Sequence, residues 1–215
     1  MLHRESTLES VVGLIYSLQN EPFLRDFFLV GGTGLALQIG HRKSNDIVLF
    51  TINGFDKLLL LEKLESEFNF SMDYLENNKI KGFIDGVKVD FLSHKYPMIN
   101  PVCEIEDVRI ASLQDISAMK VNAIANDGTQ VKDFIDLYFL LQEYSIGQLL
   151  DNYQAKYKLR NALHALKSLN YFNEANISAW PEIIKEKKVT WEKVTGVIDS
   201  ACRLYFNTIL HEKQW

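Results

Sequence analysis

Phe27-Phe28-Leu29-Val30-Gly31-Gly32-Thr33-Gly34-Leu35-Ala36-Leu37 is the stretch on which the reading of the fold turns. Its first four residues are apolar and stopped by two glycines, which predicts a buried strand turning sharply into a helix carrying Leu35, Ala36 and Leu37. Glycines there let backbone amides approach a phosphate closely, and the helix dipole favours an anion. The same pair also serves a plain tight turn, so both readings stay open. Two familiar phosphate loops are excluded. A Walker loop requires a Gly-Lys-Ser/Thr ending, and the dinucleotide fingerprint requires a third glycine where Leu35-Ala36-Leu37 stands.

Working outward, Leu8, Val11, Val12, Ile15 and Leu18 recur at helical spacing and predict an opening helix that ends near Asn20-Glu21-Pro22. Downstream, Asp46 to Thr51 reads as a second strand and Phe55 to Phe68 as a crossover helix. Lys79 to Ile84 and Val87 to Leu92 flank Asp85-Gly86, a dipeptide suited to a tight hairpin. Alternating strands and helices give an α/β (α+β) class with a mixed sheet. Ser112-Leu113-Gln114-Asp115 fits a capping box, with a helix to about Ala125. Asn126-Asp127-Gly128 breaks it, and Thr129 is expected to cap the next helix. From there to Trp215 only helical patterns appear, interrupted near Trp180-Pro181. The expected division is an α/β core over 1–110 and a helical region over 111–215.

Fourteen positions after Gly32, within His41-Arg42-Lys43-Ser44-Asn45-Asp46-Ile47-Val48-Leu49-Phe50, comes Asp46. Strand alternation puts Asp46, Val48 and Phe50 on one face and Ile47 and Leu49 on the other, and sets Asp90 opposite Val89 and Phe91. By themselves Asp46 reads equally as a strand-start turn residue and Asp90 as an exposed hairpin position. Lys120 reads as a solvated helix lysine. Asp133 sits in the first turn of its helix, where a negative charge is favourable anyway, with Asp136 nearby on the same surface. His41 and His94 have no metal-ligand spacing. Lys185-Glu186-Lys187-Lys188 reads as a solvated run.

Gly-Gly-Thr-x-Leu-Ala-Leu followed by His-Arg-x-Ser-x-Asp-Ile-x-Leu-Phe resembles the first motif of the AbiEii/AbiGii-type nucleotidyltransferase toxins, a branch of the polymerase-beta-like minimal nucleotidyltransferase superfamily. Val89-Asp90-Phe91-Leu92 resembles its third carboxylate strand. Lys120 with Lys132-Asp133-Phe134-Ile135-Asp136-Leu137-Tyr138 resembles its helical motif. The resemblance implies a minimal nucleotidyltransferase fold with a helical C-terminal region that completes the nucleotide site and binds the acceptor. It implies Asp46, Asp90 and Lys120 as catalytic, and Gly31, Gly32, Thr33, Arg42, Ser44, Lys120, Asp133 and Asp136 as nucleotide-binding. Asp46 and Asp90 would hold magnesium or manganese. In the superfamily, carboxylates at alternate positions of one strand plus a third from a neighbour hold two magnesium ions about 3.5–4 Å apart. This chain departs at position 48, where Val48 replaces the expected aspartate. The implied activity is transfer of a nucleoside monophosphate from a nucleoside triphosphate to an acceptor such as tRNA, by a toxin with a cognate antitoxin. A catalytically impaired nucleotide- or partner-binding module is the alternative that Val48 leaves open.

The bulk properties narrow the classes. At 215 residues and 47% hydrophobic composition, a sizeable core is expected. A formal net charge of −5 argues against sequence-independent capture of nucleic acid. The longest aliphatic run, Leu58 to Leu61, falls far short of the roughly 20 residues that cross a bilayer. No secretion-type leader follows Met1, and Cys103 and Cys202 belong to no CxxC pair, so the expectation is a reducing cytoplasm without membrane attachment.

Overall fold

The protein is described by a computed structural model over residues 1–212. It divides between Ser112 and Leu113 into two compact units, each taken by itself.

The first unit begins with α1 (Glu9–Asn20), whose Val11, Ile15 and Leu18 are buried on one face at the spacing that the helical period requires. Then come β1 (Phe28–Val30), α2 (Gly31–Ile39), β2 (Ile47–Thr51) and α3 (Lys57–Phe68). The unit continues with β3 (Ser71–Glu76), β4 (Lys79–Ile84), β5 (Val87–Ser93), β6 (Cys103–Ile105) and β7 (Val108–Ile110). All seven strands form one sheet in the order β3-β4-β5-β2-β1-β7-β6. β2 with β5 and β1 with β7 are parallel, and the other pairs are antiparallel. This is the mixed, helix-flanked α/β sheet that the sequence predicts.

The core lies on one side of the sheet, where Leu29, Ile47, Leu49, Val89 and Phe91 are fully buried with α1 residues and Leu60 and Leu64 of α3. Each such side chain stabilises the fold by about 1.5–3 kcal/mol. The alternate residues of β2, Val48 and Phe50, are half-buried on the opposite face. Gly31 opens α2 at φ +72°, a left-handed conformation that glycine adopts without a Cβ clash.

The expected hairpin is present, with Asp85 at φ 49° and Gly86 at φ 79°. β3 escaped the sequence reading because its residues alternate no burial, five of the six being exposed. β6 and β7 escaped it because they are three residues each and joined by Glu106-Asp107, both at positive φ without a glycine. Tertiary bonds hold that turn. Glu106 accepts from the Leu2 amide at 2.9 Å, and its carbonyl accepts from the Tyr16 hydroxyl at 2.9 Å.

The second unit consists of α4 (Leu113–Asn126), α5 (Val131–Leu140), α6 (Ile146–Tyr157), α7 (Leu163–Ser168) and α8 (Trp191–Glu212), with short 3-10 turns. α4 packs against α5, α6 and α7, while α8 packs against α5 and α6. Phe134, Phe172 and Trp191 meet edge to face with ring centroids 5.5–5.9 Å apart. Thr129 does not cap α5. Its N-cap is Gln130, without a side-chain cap bond, because the Thr129 amide instead donates to Asp127 Oδ1 at 3.1 Å and closes the turn one residue early. No helix of the described residues is long and apolar enough to cross a membrane.

Candidate active site

A row of residues crosses four strands on the face of the sheet opposite Leu29, Ile47 and Leu49. Lys81 of β4 pairs with Asp90 of β5, Asp90 with Val48 of β2, and Val48 with Val30 of β1. Neighbouring strands lie roughly 4.8 Å apart, so each member is within side-chain reach of the next. Asp90 is 8% exposed, not the solvated hairpin position that local sequence would allow. Its Oδ1 is buried without a hydrogen-bond partner, and its Oδ2 lies 3.6 Å from Lys81 Nζ. Burial pushes the Asp90 carboxyl above its usual range, Lys81 and Lys88 pull it back, and Asp46 adds to the rise. Asp46 is therefore close enough to be felt electrostatically, although β2 starts one residue later than expected and leaves Asp46 exposed just outside the strand.

The start of α2 lies beside this row. A side chain at Gly31 would meet Val48, whose Cγ2 is 3.5 Å from the position its Cβ would take. A Cβ at Gly32 would stand 2.5 Å from Arg42 Nη2 and 3.1 Å from Ser44 Oγ. The N-cap Val30 has no side chain to satisfy the first amides of α2, so these amides, the Arg42 guanidinium and the Ser44 hydroxyl converge at one helix start. Arg42 is 2% exposed, and its Nη1 donates to the Lys43 carbonyl at 2.9 Å. Thr33, 1% exposed, shares its hydroxyl between the Asp46 carbonyl at 2.5 Å and Ser44 Oγ at 3.0 Å. Thr33 thus braces the loop that carries Arg42, Ser44 and Asp46.

Divalent magnesium takes oxygen ligands. The unpartnered Oδ1 of Asp90 and the exposed carboxylate of Asp46 fit one such ion. They do not fit two. Val48 puts methyl groups where a shared oxygen ligand would stand, and the described residues contain no group of three or more His, Cys, Asp or Glu able to hold a metal.

In the second unit, Lys120 of α4 is 7% exposed, not a solvated lysine. Its Nζ lies 2.7 Å from Asp133 Oδ1 and 2.6 Å from Asp136 Oδ2, both carboxylates being on α5. The three residues that the resemblance groups are therefore one ion cluster, in which the buried Asp136 is as close to the ammonium as Asp133. A second buried pair, Asp115 with Lys156 at 2.8 Å, joins α4 to α6 and was not foreseen. Asp115 reads locally as a capping acid, and its partner is 41 residues away.

Lys81, the register partner of Asp90, is not among the residues that the sequence motifs single out. His94 stacks on Phe50 with ring centroids 4.9 Å apart. Glu186, in the run read as solvated, accepts from the Tyr138 hydroxyl at 2.7 Å and pairs with Lys193.

Comparison with known proteins places most of the chain in one family. The family model described as the nucleotidyl transferase AbiEii toxin of type IV toxin–antitoxin systems matches residues 13–193. An uncharacterized protein of Aquifex aeolicus (strain VF5) is 30% identical over 197 residues, covering 89% of this chain and 90% of that one. Among solved structures, MenT4, a nucleotidyltransferase toxin from Mycobacterium tuberculosis H37Rv, superposes with a TM-score of 0.57 at 10% identity, over 90% of this chain and 82% of that one. JHP933 from Helicobacter pylori gives 0.53 at 18% identity over 97% of each chain. At such identities these two structures establish a shared fold.

Proposed function

The chain belongs to the AbiEii nucleotidyltransferase toxin family, and from that premise we propose that it binds a nucleoside triphosphate and transfers its nucleoside monophosphate to an acceptor, tRNA foremost. An acceptor hydroxyl oxygen bonds to the α-phosphorus, the bond to the bridging oxygen breaks, pyrophosphate leaves and the hydroxyl proton passes to water. The observation that carries this reading is the buried, unpartnered Oδ1 of Asp90 in a row that runs up to the glycine start of α2.

On this reading the amides at Gly31 and Gly32, with Arg42 and Ser44, hold phosphate oxygens, a planar guanidinium being suited to paired phosphate contacts. Thr33 keeps Asp46 and Ser44 in register by its bond to the Asp46 carbonyl. Asp46 and Asp90 would hold a magnesium ion, which supplies charge neutralisation at the phosphates when bound. The cognate antitoxin of a type IV-like pair is the proposed protein partner.

Calorimetric titration with each of the four ribonucleoside triphosphates plus magnesium tests the reading. At least one binds, and Gly32→Ala weakens it by roughly tenfold or more, because a Cβ there displaces the Arg42 guanidinium from the helix start. Failure of all four to bind the folded chain overturns it.

Val48 favours one second reading, a module that binds nucleotide or partner without turnover, since its apolar side chain stands in register with Asp90. Nucleotide binding without transfer supports that reading.

A further inference from the structure

Resting on the nucleotidyltransferase reading, we propose that Lys81 takes the place of one of the two cations that a three-carboxylate site would hold, leaving a single divalent ion shared by Asp46 and Asp90. The row across the sheet carries this inference. Asp90 has Val48 on one side and Lys81 on the other, both as direct register partners. Its two oxygens are divided accordingly. Oδ2 lies 3.6 Å from Lys81 Nζ, while Oδ1 is buried and unpartnered.

The charges balance in the same way. Three carboxylates with two divalent cations leave one net positive charge toward a triphosphate. Two carboxylates with one divalent cation and one ammonium also leave one. A valine at position 48 without Lys81 would lose a ligand and an ion together, whereas with Lys81 the field that neutralises phosphate oxygens is kept. Lys81 is anchored for this by its strand, its side chain being 34% exposed along the sheet face. Lys88, the other lysine felt by Asp90, lies two residues along β5 on the same face, but it is exposed and its β4 register partner is Phe83, whereas Lys81 is the direct partner of Asp90. An ordinary solvated ion pair at this distance would contribute little, so the test must separate a charge at the metal site from a surface contact.

Bound Mn2+ is counted by the loss of the free-ion electron paramagnetic resonance signal, on the full chain with Mn2+ alone at fixed ionic strength. Wild type binds one ion, which is lost in Asp90→Asn. Lys81→Met binds that ion roughly tenfold tighter, because a like charge next to it is gone. Lys81→Gln does the same, which ties the effect to charge and not to the packing of β4. Val48→Asp still binds one ion, and Val48→Asp combined with Lys81→Met binds two. A second ion in Val48→Asp with Lys81 in place overturns the inference while leaving the nucleotidyltransferase reading intact, as does unchanged affinity in both Lys81 variants. No ion bound by folded wild type overturns the inference and the metal-dependent part of that reading together.

Discussion

Asp115 and Lys156 are both fully buried, and their pairing cannot be read from the sequence, where 41 residues separate them. Asp115 satisfies a local helix-start pattern, which hides its tertiary role. Removing one partner of a buried pair strands the other's charge, so Lys156→Met lowers stability by about 3–5 kcal/mol, measured by denaturant unfolding, and adding Asp115→Leu restores most of it. Lys81 stands at the other extreme of legibility. Once Asp85-Gly86 is recognised as a two-residue turn, Ile84 must pair with Val87, and counting back places Lys81 opposite Asp90. The signal was present and needed only that count. The cysteines give a further check at this scale. Cys202 is 1% exposed, and burial, with Asp199 adding to it, pushes its thiol up to about 12, whereas Cys103 is only partly buried. A thiol reagent at pH 8 modifies Cys103 promptly and Cys202 only on unfolding. Equal rates at both would contradict the packing around α8.

At the scale of elements, legibility tracked period and punctuation. β1 was readable as an unbroken apolar run, all of it buried, stopped by the glycines that open α2, and β2, α3, β4 and β5 through their apolar periods and the Asp85-Gly86 turn. β3 was not, since it lies at the sheet edge with Met72 and Tyr74 exposed and carries no alternation. The β6–β7 turn was not, since Glu106 and Asp107 take positive φ without a glycine, and the bonds that hold Glu106 come from the distant Leu2 and Tyr16. The segment before α8 is fastened in the same nonlocal way, by Tyr138 and Lys193 on Glu186. Hydrogen bonds from Lys193 first and then Tyr138 hold the Glu186 carboxyl below its usual value. A depressed carboxylate contributes stability that is present above its unfolded pKa and lost as pH falls through the folded one. Tyr138→Phe therefore costs on the order of 0.5–1 kcal/mol at neutral pH, kept small because the Glu186 side chain remains 28% exposed to solvent. The difference from wild type shrinks as pH drops below the ordinary glutamate range. A constant difference across pH 3 to 7 would show that the tyrosine acts through packing alone.

For the whole molecule, family membership was legible because Gly31-Gly32-Thr33, Arg42, Ser44, Asp46 and Asp90 keep a spacing that local structure alone does not require. After β7 the described residues of the second unit form α4 to α8 with short 3-10 turns. The environment of the carboxylates stayed hidden. Sequence shows that Val48 lacks an oxygen ligand; the sheet register adds that it stands directly beside Asp90, with Lys81 on the other flank. That arrangement makes the consequence of Val48 a chemical question. The most direct measurement is transfer of label from α-labelled ribonucleoside triphosphates, with magnesium, to total tRNA by wild type, Asp46→Ala and Val48→Asp. Transfer by wild type that disappears in Asp46→Ala is the predicted result. Silence from wild type with transfer by Val48→Asp would contradict it and identify a nucleotidyltransferase disabled by that one residue.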